Sequence, residues 1–328
     1  MNHAEAISFA DVLSAQERLK NHVYETPLLE SPLLNDVAGR RILIKAECLQ
    51  HTGSFKFRGG TSAITKLTPE QRKSGVIAYS SGNHAQGAAL AAKRAGVKAV
   101  IVMPNDAPAL KIENTRSYGA EVVLYDRPGG ENREKIGQQL ADERDLYLIK
   151  PYDNAEVIAG QGTCGLEIAE QAKACGITKA DVLVCCGGGG LTSGIAISLE
   201  AMASDMTARP VEPRHYDDVI RSQQSGQREE VSTDQSSICD AIVTPSPGAL
   251  TFPIIKRLCN KGIVVTDAEA LQAMATAMQY LRVVAEPGGA VALAAAIYHA
   301  DEIETDTVIC VISGGNADPA TIRQALPS

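Results

Sequence analysis

Residues 182–194 read VLVCCGGGGLTSG. Five apolar residues run into four consecutive glycines, and a small-residue segment with helical character follows. A continuous apolar run, as opposed to an alternating one, suits a parallel strand buried on both faces. Glycines at a strand-to-helix turn let backbone N–H groups close on an anion with no Cβ in the way, at the end of the helix where the dipole favours negative charge. Two standard phosphate loops do not fit. No Lys-Ser/Thr follows as a Walker A loop requires, and the nearest acidic residue, Glu200, lies only ten positions beyond Gly190, too close for the dinucleotide pattern.

The same grammar occurs twice more. VIAYS (76–80) runs into SGNHAQG, and VICVI (308–312) runs into SGGNADP. Further apolar runs at 41–47, 99–103, 121–125, 146–150 and 262–265 alternate with helical stretches. One of these, 266–281, opens with a Thr266/Glu269 capping box and carries Leu271, Met274, Met278 and Leu281 as a core-facing stripe. The alternation predicts an α/β fold with largely parallel sheets. In such sheets ligands bind beyond the carboxyl ends of the strands, so three Ser/Gly/Asn turns can converge on one anionic ligand. The polar, turn-rich segment 225–248 is expected to be a long functional loop or an irregular connection.

The totals exclude several classes. The chain has 328 residues, a formal net charge of -8 and no basic run, which argues against nucleic acid as a partner. No apolar run approaches the roughly 18 residues of a membrane span, and no secretory signal pattern opens the chain. Eight cysteines with no CxxC pair are expected to be free thiols in a reducing cytoplasm.

Residues 51–60, HTGSFKFRGG, hold the second decisive feature. Lys56 stands between Phe55 and Phe57, two of only four phenylalanines. An apolar setting lowers the cost of the neutral amine and makes a lysine nucleophilic. A phosphate nest together with a reactive lysine suits a phosphate-bearing aldehyde held as an imine, which is pyridoxal phosphate.

SFKFRGG, SSGNHAQG, GGGGLTSG and SGGN, in this order and spacing, resemble the signature segments of the serine/threonine dehydratase family. These are fold-type-II pyridoxal phosphate enzymes (tryptophan synthase β-like), and they include serine racemase and the hydroxyaspartate dehydratases. The resemblance runs almost end to end. It implies two open parallel-sheet α/β domains with the cofactor in the cleft between them: a large one from residues 1–75 and 150–328, and a small mobile one from 76–149. It implies that Lys56 holds the cofactor and moves the α-proton, and that Ser81 serves the opposite face. Phe55, Asn83, Gly187, Gly188, Gly189, Gly190, Glu286 and Ser313 would contact the cofactor. Ser80, Ser81, Gly82, Asn83, His84 and Arg133 would hold the substrate. Ser313, facing the pyridine nitrogen, cannot keep the ring protonated as a carboxylate would, which favours prompt loss of a β-hydroxyl over transamination. VEPRHYDD (211–218) resembles the family's divalent-cation segment, with Glu212, Asp218 and the Tyr216 carbonyl as ligands for Mg²⁺ or Ca²⁺.

The resemblance implies β-elimination from a small 3-hydroxy amino acid, foremost L-threonine or L-serine, to a 2-oxo acid and ammonia. Serine racemisation and 3-hydroxyaspartate dehydration are the alternatives. The last needs an extra cation, for which Arg133 and Lys150 are candidates. Lys56, Ser81 and Ser313 together argue against a non-catalytic binding protein. A homodimer or homotetramer in the cytoplasm is expected, and a catabolic role, since 328 residues leave no length for the regulatory domain of biosynthetic threonine dehydratases. The chain departs from the family at Cys239–Ala241, where CDA replaces Ala-Asp-Gly, and at KPYD (150–153). Ala241 in place of glycine bears on pocket shape.

Overall fold

The computed structural model describes residues 7–80, 82–107, 109–232 and 234–326. Ten strands occur among them: β1 (Leu28–Glu30), β2 (Arg41–Ala46), β3 (Val76–Tyr79), β4 (Ala99–Pro104), β5 (Glu121–Tyr125), β6 (Tyr147–Leu148), β7 (Ala180–Cys185), β8 (Met206–Pro213), β9 (Ile263–Val265) and β10 (Thr307–Ile312). They form two sheets, β1-β2-β10-β7-β8-β9 and β5-β4-β3-β6. Every pairing is parallel except β1 with β2. The predicted α/β class with parallel sheets is what the chain adopts.

The central strands of the larger sheet, β10 and β7, are buried on both faces, which is why their sequences are unbroken apolar runs. Their core continues into the helix Pro287–Tyr298. A separate core around β3 and β4 takes in Phe57, Ile64, Ala88 and Ile101.

Two strands escaped the sequence reading. β1 has only three residues and is the antiparallel edge. β8, MTARPVEP, carries two prolines and two charged residues, Arg209 and Glu212, features that normally disqualify an interior strand. It forms because β7 and β9 flank it, and Arg209 satisfies itself on the carbonyls of Lys261 and Glu302 at 2.9 and 2.7 Å. The 266–281 stripe also differs in part. The capping box is present, but the α-helix ends at Thr276 and a π turn covers Ala277–Leu281. The wider turn shifts the face by one residue, so Ala277 is buried while Met278 is only half-buried.

All eight cysteines are free thiols, six of them buried. No helix among the described residues is long and apolar enough to cross a membrane. The three Ser/Gly/Asn turns follow β3, β7 and β10 at their carboxyl ends, so they meet where the two sheets face each other.

Candidate active site

A cleft of about 840 Å³, counting its open mouth, lies at that meeting point. Lys56 enters at the first turn of helix Lys56–Thr65. The loop before it is tied to the third turn by Phe55 N–H donating to the Ser313 carbonyl at 3.0 Å. Lys56 Nζ donates to the Pro151 carbonyl at 2.9 Å and lies 5.0 Å from the Phe55 ring centroid. Burial pushes its pKa down to about 8; Cys185 and Glu286 oppose that shift and Arg133 adds to it. Phe57 does not share this setting. It turns into the core and packs against His51 and Arg94 at 5.0 and 5.1 Å.

Opposite stand Gly187–Gly190. Gly189 adopts φ +88° and caps helix Gly190–Met202. A methyl group on Gly188 would come within 2.2 Å of the Tyr152 ring, and one on Gly187 within 2.9 Å of the Ile242 carbonyl. Only glycine fits between these walls. Among the described residues, no acceptor takes the four amides of Gly187–Gly190. Unpaired N–H groups at a helix start suit a phosphate.

Asn83 opens helix Asn83–Ala95; its amide nitrogen donates to Glu286, and its oxygen accepts from Asn316 Nδ2 at 2.7 Å. Burial pushes the Glu286 carboxyl up to about 7, with Asp240 adding to the rise. Ser80 and Gly82 line the cleft, with Gly82 N–H donating to Ser80 Oγ at 3.2 Å. Ser81 lies outside the described residues. His84 is buried and bonded to the Ile149 carbonyl at 3.0 Å; since a carbonyl only accepts, Nε2 carries the proton. Burial, with Lys56 nearby, pushes His84 down to about 3, so the ring is neutral and Nδ1 has no partner. Ser313 is buried against the Cys185 thiol, which itself lines the cleft.

Arg133 reaches the cleft with its guanidinium 5.9 Å from the Tyr79 ring centroid, whereas Lys150 is exposed and not part of the wall. The sequence reading missed Tyr152, Lys111 and Asp240. Lys111 Nζ pairs with Asp240 at 2.9 Å, and both line the cleft. Burial alone would lower the Lys111 pKa, but Asp240 holds it above the ordinary value. Asp240 and Ala241 come from the polar loop after helix Asp218–Ser225.

Away from the cleft, Glu212 is fully buried and accepts from the amides of Val219 and Ile220 at 3.0 and 2.8 Å. Both oxygens of buried Asp218 lack a partner. Burial pushes both acids up, Glu212 with the help of Asp218, and Asp218 to about 8. Buried Tyr216 donates its hydroxyl to the Gln235 carbonyl at 2.7 Å, and His215 is exposed with φ +76°. No group of three or more His, Cys, Asp or Glu side chains able to hold a metal occurs among the described residues.

Residues 19–314 match the family described as pyridoxal-phosphate dependent enzyme. The chain belongs to this family. It is 43% identical to an L-threo-3-hydroxyaspartate ammonia-lyase of Pseudomonas sp, over 95% of this chain and 96% of that one. It is 37% identical to a serine racemase of Schizosaccharomyces pombe, over 95% and 94%. The crystal structure of a threonine deaminase from T.th. superposes with a TM-score of 0.89 at 40% identity, over 95% of this chain and 99% of that one. The fold is thus that of the fold-type-II pyridoxal phosphate enzymes, and this chain is an enzyme using that cofactor. The glycine amides and the buried lysine fit its phosphate and its aldehyde.

The depressed lysine has a pH signature. The folded protein releases the Lys56 proton near pH 8, while an unfolded lysine holds it to about 10.5. Between those values the unfolded chain binds more protons, so this group's contribution to stability rises with pH. The rate at which cofactor-free protein takes up pyridoxal phosphate, followed by absorbance, is expected to climb through pH 8 and then level off. A lysine of ordinary pKa would give a rate still climbing at pH 10.

Proposed function

We propose that this chain is an ammonia-lyase acting on 3-hydroxy amino acids, with 3-hydroxyaspartate ahead of L-serine and L-threonine. The observation that carries the preference is Arg133, a guanidinium on the cleft wall that no carboxylate among the described residues neutralises. A substrate with a second carboxylate would supply the missing charge. The names of the relatives are in accord, since they include a hydroxyaspartate ammonia-lyase, a serine racemase and a threonine deaminase.

Bound pyridoxal phosphate supplies the electron sink that makes an amino acid's α-proton acidic. The chain's residues do the rest in this reading. The amides of Gly187–Gly190 hold the phosphate, and Phe55, Asn83, Glu286 and Ser313 surround the ring. Ser80, Gly82 and the helix start at Asn83 and His84 receive the α-carboxylate on backbone donors; neutral His84 adds no charge there. Lys56, neutral as an amine near its lowered pKa, takes the α-proton. Ser81, placed by its motif on the other face, protonates the departing β-hydroxyl, which leaves as water. The released enamine adds water, giving a 2-oxo acid and ammonia. The sheet built from residues 76–149 acts as the mobile part that closes over the substrate. A cytoplasmic homodimer or homotetramer completes the proposal, with the free thiols in support of the compartment.

A divalent cation, Mg²⁺ or Ca²⁺, belongs to the same reading. The two unpartnered oxygens of Asp218 beside Glu212 form a buried carboxylate pair whose nearby cation, Arg221, is bonded to Asp217 instead, and oxygen-only donors suit Mg²⁺ or Ca²⁺. Added Mg²⁺ or Ca²⁺ is expected to raise the melting temperature of wild type and not of Asp218→Asn. An equal response in both would remove the site from the account.

Counting both products from L-serine tests the reaction class. Pyruvate in excess of D-serine supports elimination. D-serine forming with no pyruvate overturns it in favour of racemisation.

A further inference from the structure

The Lys111–Asp240 pair spans the cleft. Lys111 sits on helix Ala109–Ser117, which packs against the sheet containing β3; Asp240 sits on the loop belonging to the sheet containing β7. Their exposures are unequal. The Lys111 side chain is 15% exposed and that of Asp240 is 52% exposed. A buried ammonium needs a carboxylate partner at all times, whereas a half-exposed carboxylate can be returned to water at little cost. Lys111 Nζ also hangs over the turn after β3, 3.7 Å from where a methyl group on Gly82 would lie. That is the turn on which the substrate's α-carboxylate is placed above, so the ammonium stands about one carboxyl group away from it.

We propose that Lys111 joins Arg133, which lines the same cleft, in binding the second carboxylate of a dicarboxylic substrate, and that Asp240 holds the substrate's place on Lys111 until it arrives. The assignment rests on the reading of 3-hydroxyaspartate as substrate. It makes Lys111 a specificity-determining residue and Asp240 its competitor. With a monocarboxylate in the cleft, Asp240 stays paired with Lys111. With a dicarboxylate, the substrate's distal group takes the ammonium and Asp240 turns out to solvent. Exchanging one carboxylate for another keeps Lys111 paired throughout, so no buried charge is left alone at any stage.

Succinate, a dicarboxylate that cannot be dehydrated, serves as the probe, with propionate as the single-carboxylate reference. Their affinities are measured by calorimetry on the holoenzymes of wild type, Lys111→Met and Asp240→Asn. The two variants are expected to move succinate in opposite directions. K111M weakens it by about tenfold or more, and D240N tightens it severalfold, while propionate moves by less than about threefold in either. The ratio of kcat/KM for 3-hydroxyaspartate over L-serine should follow the same signs. Equal changes for succinate and propionate, or weaker succinate binding in D240N, would overturn the proposal even if 3-hydroxyaspartate is turned over. The expected succinate pattern without turnover of 3-hydroxyaspartate would leave Lys111 as a carboxylate contact and refute the substrate reading instead.

Discussion

Lys56→Ala is expected to lower 2-oxo acid release from any 3-hydroxy amino acid by about a thousandfold or more. In the proposed mechanism Lys56 has two duties, capturing the cofactor covalently and carrying the α-proton, and alanine would abolish both. Its surroundings serve the first duty. The amine is desolvated, held on the Pro151 carbonyl and close to the Phe55 ring, so the neutral nucleophile is populated near pH 8. Lys56→Arg separates chemistry from charge. Arginine keeps a cation in place and can neither form the imine nor release its proton, so it should be as inactive as alanine. Borohydride treatment gives a readout independent of turnover. Wild type should retain reduced cofactor through denaturation, and neither variant should. Retention by Lys56→Ala would place the covalent link elsewhere.

Arg58→Met should cost about 3–5 kcal/mol of folding stability, read as a drop in denaturant midpoint. The Arg58 side chain is fully buried two residues after Lys56. It donates to both oxygens of Glu47 at 2.8 Å and to Glu167 at 2.6 and 2.8 Å. Lys45 Nζ joins at 2.6 Å from Glu167. Two cations thus balance two carboxylates. Burial alone would push Glu47 up, but Arg58 and then Lys45 hold it below its usual pKa. Removing Arg58 leaves a buried carboxylate short of its partner. Removing Glu47 as well, in an Arg58→Met/Glu47→Leu protein, leaves Lys45 and Glu167 balanced, and the double variant is expected to be more stable than Arg58→Met. A double variant less stable than either single would show that shape, and not charge balance, dominates this core.

The sequence made local features readable and left distant pairings hidden. Gly187–Gly190 and the 51–60 loop can be read because their chemistry is contiguous: the backbone of four glycines forms one cradle, and one lysine follows one aromatic. Phe57 shows the limit of that reading. It is as close in sequence to Lys56 as Phe55 is, but the helix turns it into the core. Lys111 and Asp240 are 129 positions apart, and although Asp240 lies in the CDA segment nothing there points to Lys111, so only the fold brings them together. Arg58 lies in the same 51–60 stretch, and its partners come from the segment just after β2 and from helix Ala155–Ala174. β8 was hidden for a different reason, since its prolines are tolerated through its neighbours and not through its own propensity.

The most direct measurement places L-threo-3-hydroxyaspartate and L-serine in competition for the wild-type holoenzyme and follows oxaloacetate and pyruvate together. The account predicts kcat/KM for the dicarboxylate at least about tenfold higher, the discrimination expected when a buried cation meets or misses its carboxylate. Pyruvate formed ahead of oxaloacetate would contradict it, and would return Arg133 and Lys111 to the role of wall residues in a threonine/serine enzyme.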